Sequence, residues 1–351
     1  MEHQLTYSLI DKLKKNRHLE SDEWRQVISD CHPETMEYAR QLAHTQAQEV
    51  YGNKVFIRGL IEISNYCKNN CHYCGIRCGN VNANRFRLSK EEILSCCENG
   101  YALGFRTFVL QGGEDPVQDD AFIVDVVQTI RKKYPDCAIT LSVGEKEKES
   151  YEAYYNAGAN RYLLRHETAD EEHYHMLHPQ NLKLENRIRC LRDLKQIGFQ
   201  TGAGMMIGSP GQSVDTLCKD MALLEELQPE MVGMGPFIPH KDSIFANEPA
   251  GSVDLTVYLL SLTRLLLPRV LLPATTALST VSGQGRSRGI LAGANVVMPN
   301  LSPLTTRAKY NLYDNKAITG GESAEKITQL KEEFNAIGYE VVIDRGDYRR
   351  E

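Results

Sequence analysis

The stretch NYCKNNCHYCGIRCGN, residues 65–80, crowds four cysteines into twelve positions, and the reading of those thiols decides the fold. Cys67, Cys71 and Cys74 are separated by three and then two residues, and Cys78 follows. Taken alone, the cluster fits a zinc knuckle, a disulfide or an iron–sulfur site. Ten cysteines in 351 residues do not resemble a small secreted disulfide scaffold. The opening MEHQLTYSLIDKLKKNRHLE is amphipathic and has no apolar leader core, so the thiols are expected to be reduced in a cytoplasmic protein. Clustered reduced thiols favour a metal.

Outward from the loop, a pattern repeats. The β-rich run VFIRGLIEIS (55–64) precedes the cysteines, and SKEEILSCCENGYALG (89–104) follows with helical periodicity behind a capping serine, Ser89. TFVLQGG then precedes a helix over 119–134, AITLSVG one near 147–157, and RYLLRHE helices across 170–197. FQTGAGMMIG is followed by 213–227, MVGMGPFIP by 254–267, VLLPATTA by 284–292, and NVVMPN by 323–337. Eight strand–helix alternations predict parallel strands joined by crossover helices, closed as a (β/α)8 TIM-type barrel of the α/β class. Helices at 1–50 form an N-terminal extension, 51–313 the barrel core, and 314–351 the last helix and a C-terminal extension. Reactive groups are then expected at the carboxyl ends of the strands, where the cysteine loop lies.

Forty basic and forty-six acidic side chains give a net charge of −6, with no basic block to make a nucleic-acid face or a membrane anchor. The most apolar run, LLSLTRLLLPRVLLPATTA, is broken by Arg264, Arg269 and two prolines, so it does not read as a membrane span.

A structural zinc site usually takes four Cys or His ligands, often in two pairs, whereas three thiolates on one loop can hold three irons of a 4Fe–4S cube and leave the fourth open. At the end of strand two, LQGGEDP offers Gln111, the bare backbone of Gly112 and Gly113, and the Glu114 carboxylate. In strand four, alternation places Arg161, Leu163, Arg165 and Glu167 on one face. Inward-facing arginines require carboxylates or an anionic ligand, because burying an unpaired charge is costly. Thr140 and Ser142 on strand three and Thr275 and Thr276 on strand seven would line a polar lumen. Methionines at 205, 206, 231, 234 and 298 read first as core filler. Ser209 lacks the Gly-x-Ser-x-Gly spacing of a hydrolase elbow.

The spacing C-x-x-x-C-x-aromatic-C after the first strand of such a barrel resembles the signature of radical S-adenosylmethionine (SAM) enzymes. The resemblance implies one 4Fe–4S cluster on Cys67, Cys71 and Cys74, with SAM chelating the open iron and cleaved reductively to a 5′-deoxyadenosyl radical. The cofactors then carry the chemistry, and no further side chain is assigned as catalytic. A cube with four thiolates could not chelate SAM, so Cys78 is expected to be a nonligand.

From about residue 50 to 313 the chain is most similar to the HydE family of iron–iron hydrogenase maturases, through NYCKNNCHYCGIR, LQGGEDP, LSVGE, RYLLRHETA, LENR, TGAGMMIGSPGQ, GPFIPH, LPATTA and GANVVMPN. The resemblance implies SAM held by Glu167 and Arg187, beside Gln111, Gly112, Gly113, Glu114 and Ser142. Tyr73 would lie against it, and Phe237 and Ile238 in GPFIPH would receive its adenine. It implies a lower cavity of Thr140, Arg161, Leu163, Arg165, Met231, Thr275, Thr276, Met298, Tyr310 and Tyr313. The implied substrate is a small organometallic iron–cysteine species with carbonyl and cyanide ligands. The implied partners are sister maturases and a ferredoxin or flavodoxin reductant. No cysteine follows Cys218, so the second cluster of some members is not expected. The alternatives are methylornithine synthase, with an amino-acid substrate, and a non-catalytic iron–sulfur or zinc scaffold. Biotin synthase fits less well, since residues suited to its extra two-iron cluster are not apparent.

Overall fold

The computed structural model describes residues 3–314 and 324–349. Its strands are β1 Lys54–Ile57, β2 Gly59–Ser64, β3 Thr107–Gly112, β4 Ala138–Ser142, β5 Arg161–Leu163, β6 Gln200–Ala203, β7 Met206–Ile207, β8 Met231–Val232, β9 Gly235–Pro236, β10 Val296–Val297 and β11 Glu340–Val342. A parallel sheet runs β2-β3-β4-β5-β6-β8, while β10-β1-β11 and β7-β9 pair separately. Three bridges complete the circuit: Met231 to Leu271, Pro273 to Val296, and Leu60 to Asn300. The ring therefore has eight staves, six from the long sheet, one at 271–273 and one at 296–300. Strand seven shrinks to bridges because Pro273 has no N–H to give a ladder.

Crossover helices cover the ring because each buries one apolar stripe against it. The helix Lys90–Ala102 starts on Ser89, whose hydroxyl accepts the Glu92 amide while the Glu92 carboxylate accepts the Ser89 amide, and it buries Ile93, Cys96 and Cys97. The helix after β9, Val253–Leu266, is apolar nearly all round. It lies between the barrel and the N-terminal helices α1 Gln4–Asn16 and α3 Pro33–Tyr51. The third of these, α2 Ser21–Ser29, packs on the helix Val214–Leu227. Among the described residues no helix is long and apolar enough to cross a membrane.

The chain's end closes the barrel floor, which the sequence pattern does not announce. β11 adds to β1 in parallel, Lys54 facing Glu340. The following residues turn under the ring, where Arg161, fully buried, donates to the Arg345 carbonyl at 2.8 Å, the Gly346 carbonyl at 3.1 Å and Asp347 Oδ1 at 2.6 Å. Gly346 has a φ of +57, and a Cβ there would strike the Phe56 ring at 2.6 Å, so only glycine passes. The expected helix at 323–337 is present as Ile327–Asn335, and position 323 lies outside the described residues.

Candidate active site

Register fixes which side chains share the barrel interior. Val109, Thr140, Arg161 and Gln200 form one row across β3 to β6, and Glu62, Gln111 and Ser142 form another nearer the mouth. Lumen charges occur on strand four, as the alternation predicts, and also on the first strand. Arg58 and Glu62 are buried within the apolar run VFIRGLIEIS, and the sequence reading missed both. Their signal was available: alternation puts them on one face, the argument that singled out Arg161 and Arg165.

The cysteine loop leaves β2 and is tied to the next strand end. The Lys68 amide donates to the Glu114 carbonyl at 2.9 Å, and the Gly113 amide to the Ser64 carbonyl at 3.1 Å. A Cβ on Gly113 would collide with the Tyr66 carbonyl and come within 2.7 Å of Cys67 Cβ, so the Gly-Gly pair is what lets the two loops touch. Glu114 is buried, accepts the Glu145 amide at 3.0 Å and pairs with Lys68 at 3.2 Å. Cys67, Cys71 and Cys74 are half-buried and unpaired, whereas Cys78 is exposed, with its amide on the Asn69 carbonyl.

Burial pushes all three thiols up, Cys74 to about 12 with Cys67 and Glu167 adding to the effect. In the metal-free chain they are protonated, so a metal must displace their protons as it binds. Among the described residues no three His, Cys, Asp or Glu side chains converge closely enough for a single ion. The soft all-sulfur donor set of the trio fits iron–sulfur chemistry.

The other predicted residues stand around this loop. Tyr73 packs with Leu177, Met206, Phe237 and Phe245, and its hydroxyl lies 3.4 Å from His178 Nε2. The Phe237 amide and carbonyl are both taken, by Ile207 and Gly251, so of the two GPFIPH residues it is half-buried Ile238 whose backbone stands outside that pairing. Glu167 adopts a left-handed φ of +67, rare for a residue with a side chain, and receives Arg165 Nη2 at 2.5 Å. Such strain clusters where function demands one orientation. Arg187, seated in the first turn of the helix Leu184–Ile197, is buried; its Nε donates to Glu145 at 2.5 Å and its Nη1 to the Arg165 carbonyl at 2.7 Å. Glu145, Glu167, Arg165 and Arg187 thus form one charged layer at the strand ends.

Below that layer, Gln111 Nε2 reaches the hydroxyl of buried Tyr310 at 3.3 Å. Thr140 Oγ1 is buried without a hydrogen-bond partner among the described residues, as are Nε and Nη2 of Arg58, whose Nη1 meets Met231 Sδ at 3.0 Å. Met298 packs beside Met231 in the small cluster with Phe56 and Leu271. Leu163 faces Gly202, and Thr275, just before the short helix Thr276–Val281 rather than in a strand, donates its hydroxyl to the Met234 carbonyl at 3.4 Å. Tyr313 is half-buried near the end of the segment 3–314. Arg161 points inward as the alternation implies, but the partner that burial demands is the chain's own Asp347, at the floor.

A parallel barrel with a cysteine trio after its first strand and a charged layer over a polar lumen is an architecture for cofactor-borne chemistry. Residues 61–224, which include the cysteine loop, match the Radical SAM superfamily. The chain is 46% identical over 276 residues to the [FeFe] hydrogenase maturase subunit HydE of Thermotoga maritima, covering 79% of this chain and 78% of that one. It is 29% identical over 307 residues to 3-methylornithine synthase of Methanosarcina acetivorans, covering 86% of each. The crystal structure of methylornithine synthase superposes with a TM-score of 0.83 at 26% identity, over 95% of this chain and 97% of that one. The chain belongs to the HydE family of hydrogenase maturases within the radical SAM superfamily. A 4Fe–4S cluster and SAM are the cofactors that this superfamily implies.

Proposed function

We propose that the chain is a maturase whose Cys67, Cys71 and Cys74 hold three irons of one 4Fe–4S cluster, leaving the fourth to the amino and carboxylate groups of SAM. The cofactors supply one-electron cleavage of the sulfonium. The protein binds and aligns. Gly112, Gly113, Glu114 and Ser142 receive the SAM ammonium side, and Arg187 turns its remaining nitrogen to the carboxylate. Glu167 fixes the nucleoside from its strained position, Tyr73 and Phe237 form the apolar wall that excludes water, and Ile238 takes the adenine edge.

The substrate end is carried by one observation: two nitrogens of Arg58 and the Thr140 hydroxyl are buried inside the barrel without partners. Buried donors left unpaired are costly, so a pocket that keeps them is built for an acceptor-rich, negatively charged guest. A small iron–cysteine complex bearing carbonyl and cyanide has that character. Thr140, Leu163, Arg165, Met231, Thr275, Thr276, Met298, Tyr310 and Tyr313 would surround it, while Arg161, paired with Asp347, ties the floor beneath. Sister maturases would supply the substrate and take the product, and a ferredoxin or flavodoxin would supply the electron.

The test is turnover. Reduced, reconstituted protein is offered the iron–cysteine carbonyl cyanide complex or L-lysine, and deoxyadenosine and substrate loss are followed. Consumption of the complex supports this reading. Consumption of lysine would establish the methylornithine synthase alternative, which the 0.83 TM-score keeps in the comparison.

A further inference from the structure

Arg85 lies eleven residues beyond Cys74, in a segment that carries no metal-ligand spacing. Residues 84–88 nevertheless zip the base of the cysteine loop. The Asn65 amide donates to the Phe86 carbonyl, the Phe86 amide to Asn65 Oδ1 at 2.7 Å, and the Leu88 amide to the Ile63 carbonyl at 2.8 Å. The loop is thus a closed one, with its ends paired and its interior needing a filler. That filler is the Arg85 guanidinium. Nη1 donates to the carbonyls of Asn65 at 2.5 Å and Ile76 at 2.7 Å, and Nη2 to those of Arg77 at 2.6 Å and Asn80 at 3.2 Å. A guanidinium's two terminal nitrogens carry four N–H groups, and here each has an acceptor. One acceptor precedes the first ligand cysteine and three follow the last, so a single side chain spans the trio. Among the described residues Arg85 makes no ion pair with a carboxylate, its two terminal nitrogens meeting backbone carbonyls alone.

We propose that Arg85 is a positioning residue for the cluster: its fork holds the cysteine loop in metal-ready shape, and its unneutralised charge favours the reduced, more negative cluster. The inference rests on the cluster assignment above. The four carbonyl bonds are charge-assisted and half-buried, so their loss frees the loop ends. Lysine keeps the charge but cannot fork to four acceptors. Glutamine keeps some hydrogen bonding and loses the charge.

The experiment compares wild type, R85K and R85Q as full chains reconstituted anaerobically, without SAM. Iron loss to a chelator and the midpoint potential of the cluster are measured. R85Q should lose iron on the order of tenfold faster and shift to a more negative potential; R85K should lose iron at nearly the R85Q rate while keeping a potential near wild type. An unchanged potential in R85Q, or wild-type iron retention in either variant, overturns the proposal. Should R85Q not load iron, alkylation of the metal-free chains decides. Faster labelling at Cys67, Cys71 and Cys74, with Cys97 and Cys137 still protected, upholds the clamp; a uniform rise, or none at the loop, overturns it. Wild type without a cluster would indict the cluster assignment, while the alkylation comparison would still judge the clamp.

Discussion

Glu167 Oε2 lies 2.5 Å from Arg165 Nη2, and the glutamate makes this contact from a left-handed backbone. The two residues are two positions apart, the spacing that puts side chains on one face, and a bridge from Glu167 to Met205 holds the left-handed position in place. The strain is held where the barrel presents its chemistry.

Replacing Glu167 tests that role. E167Q should weaken SAM binding roughly ten- to hundredfold, the worth of a charged hydrogen bond in a half-buried site, while iron content stays at the wild-type level. Isothermal titration of the reconstituted protein with SAM measures the first, and iron analysis the second.

Arg58 should behave as a residue kept for function at a cost in stability. R58M removes a buried charge with two unpartnered nitrogens, and burying an apolar chain of similar volume in its place is often neutral or stabilising. The variant is expected to melt no lower than wild type and to form deoxyadenosine, yet to lose consumption of the anionic substrate. Calorimetry and product analysis separate the two effects.

The floor of the barrel should respond to acid. Burial alone would raise the Asp347 carboxyl, but Arg161 and Arg345 hold it below the usual carboxylate value. A depressed folded pKa gives stability that is present above the unfolded pKa of about 4 and is lost as pH falls through the folded one. D347N should therefore lower the melting temperature at neutral pH, by less than a fully buried pair would because Asp347 is 39% exposed and partly screened by solvent, and the gap to wild type should close on acidification.

His178 titrates in a higher window. Burial, followed by the Arg187 charge, lowers it to about 3, so the folded ring under Tyr73 stays neutral. An unfolded histidine binds a proton near pH 6.5, so stability from this site is full above that value and declines as pH falls toward 3. H178Q should flatten the decline between those limits in a pH series of chemical denaturation curves.

Much of this architecture was legible in the residues. Eight alternations gave the ring, and the thiol spacing followed by Gly112, Gly113 and Glu114 gave the mouth, because those features are local and periodic. Arg161 was read as inward and in need of a carboxylate, but its partner Asp347 is 186 positions away, in a tail with no periodicity to mark it. Arg58 and Glu62 were overlooked because the hydrophobic run around them reads as an ordinary buried strand. Arg85 escaped because its partners are backbone carbonyls, which every residue offers and no motif records.

The most direct measurement is electron paramagnetic resonance of the reduced, reconstituted protein before and after adding SAM. The account predicts a single 4Fe–4S signal that changes shape on SAM addition, is lost in C67A, C71A or C74A, and survives in C78A. Bound zinc in place of iron, or a cluster signal indifferent to SAM, would contradict it.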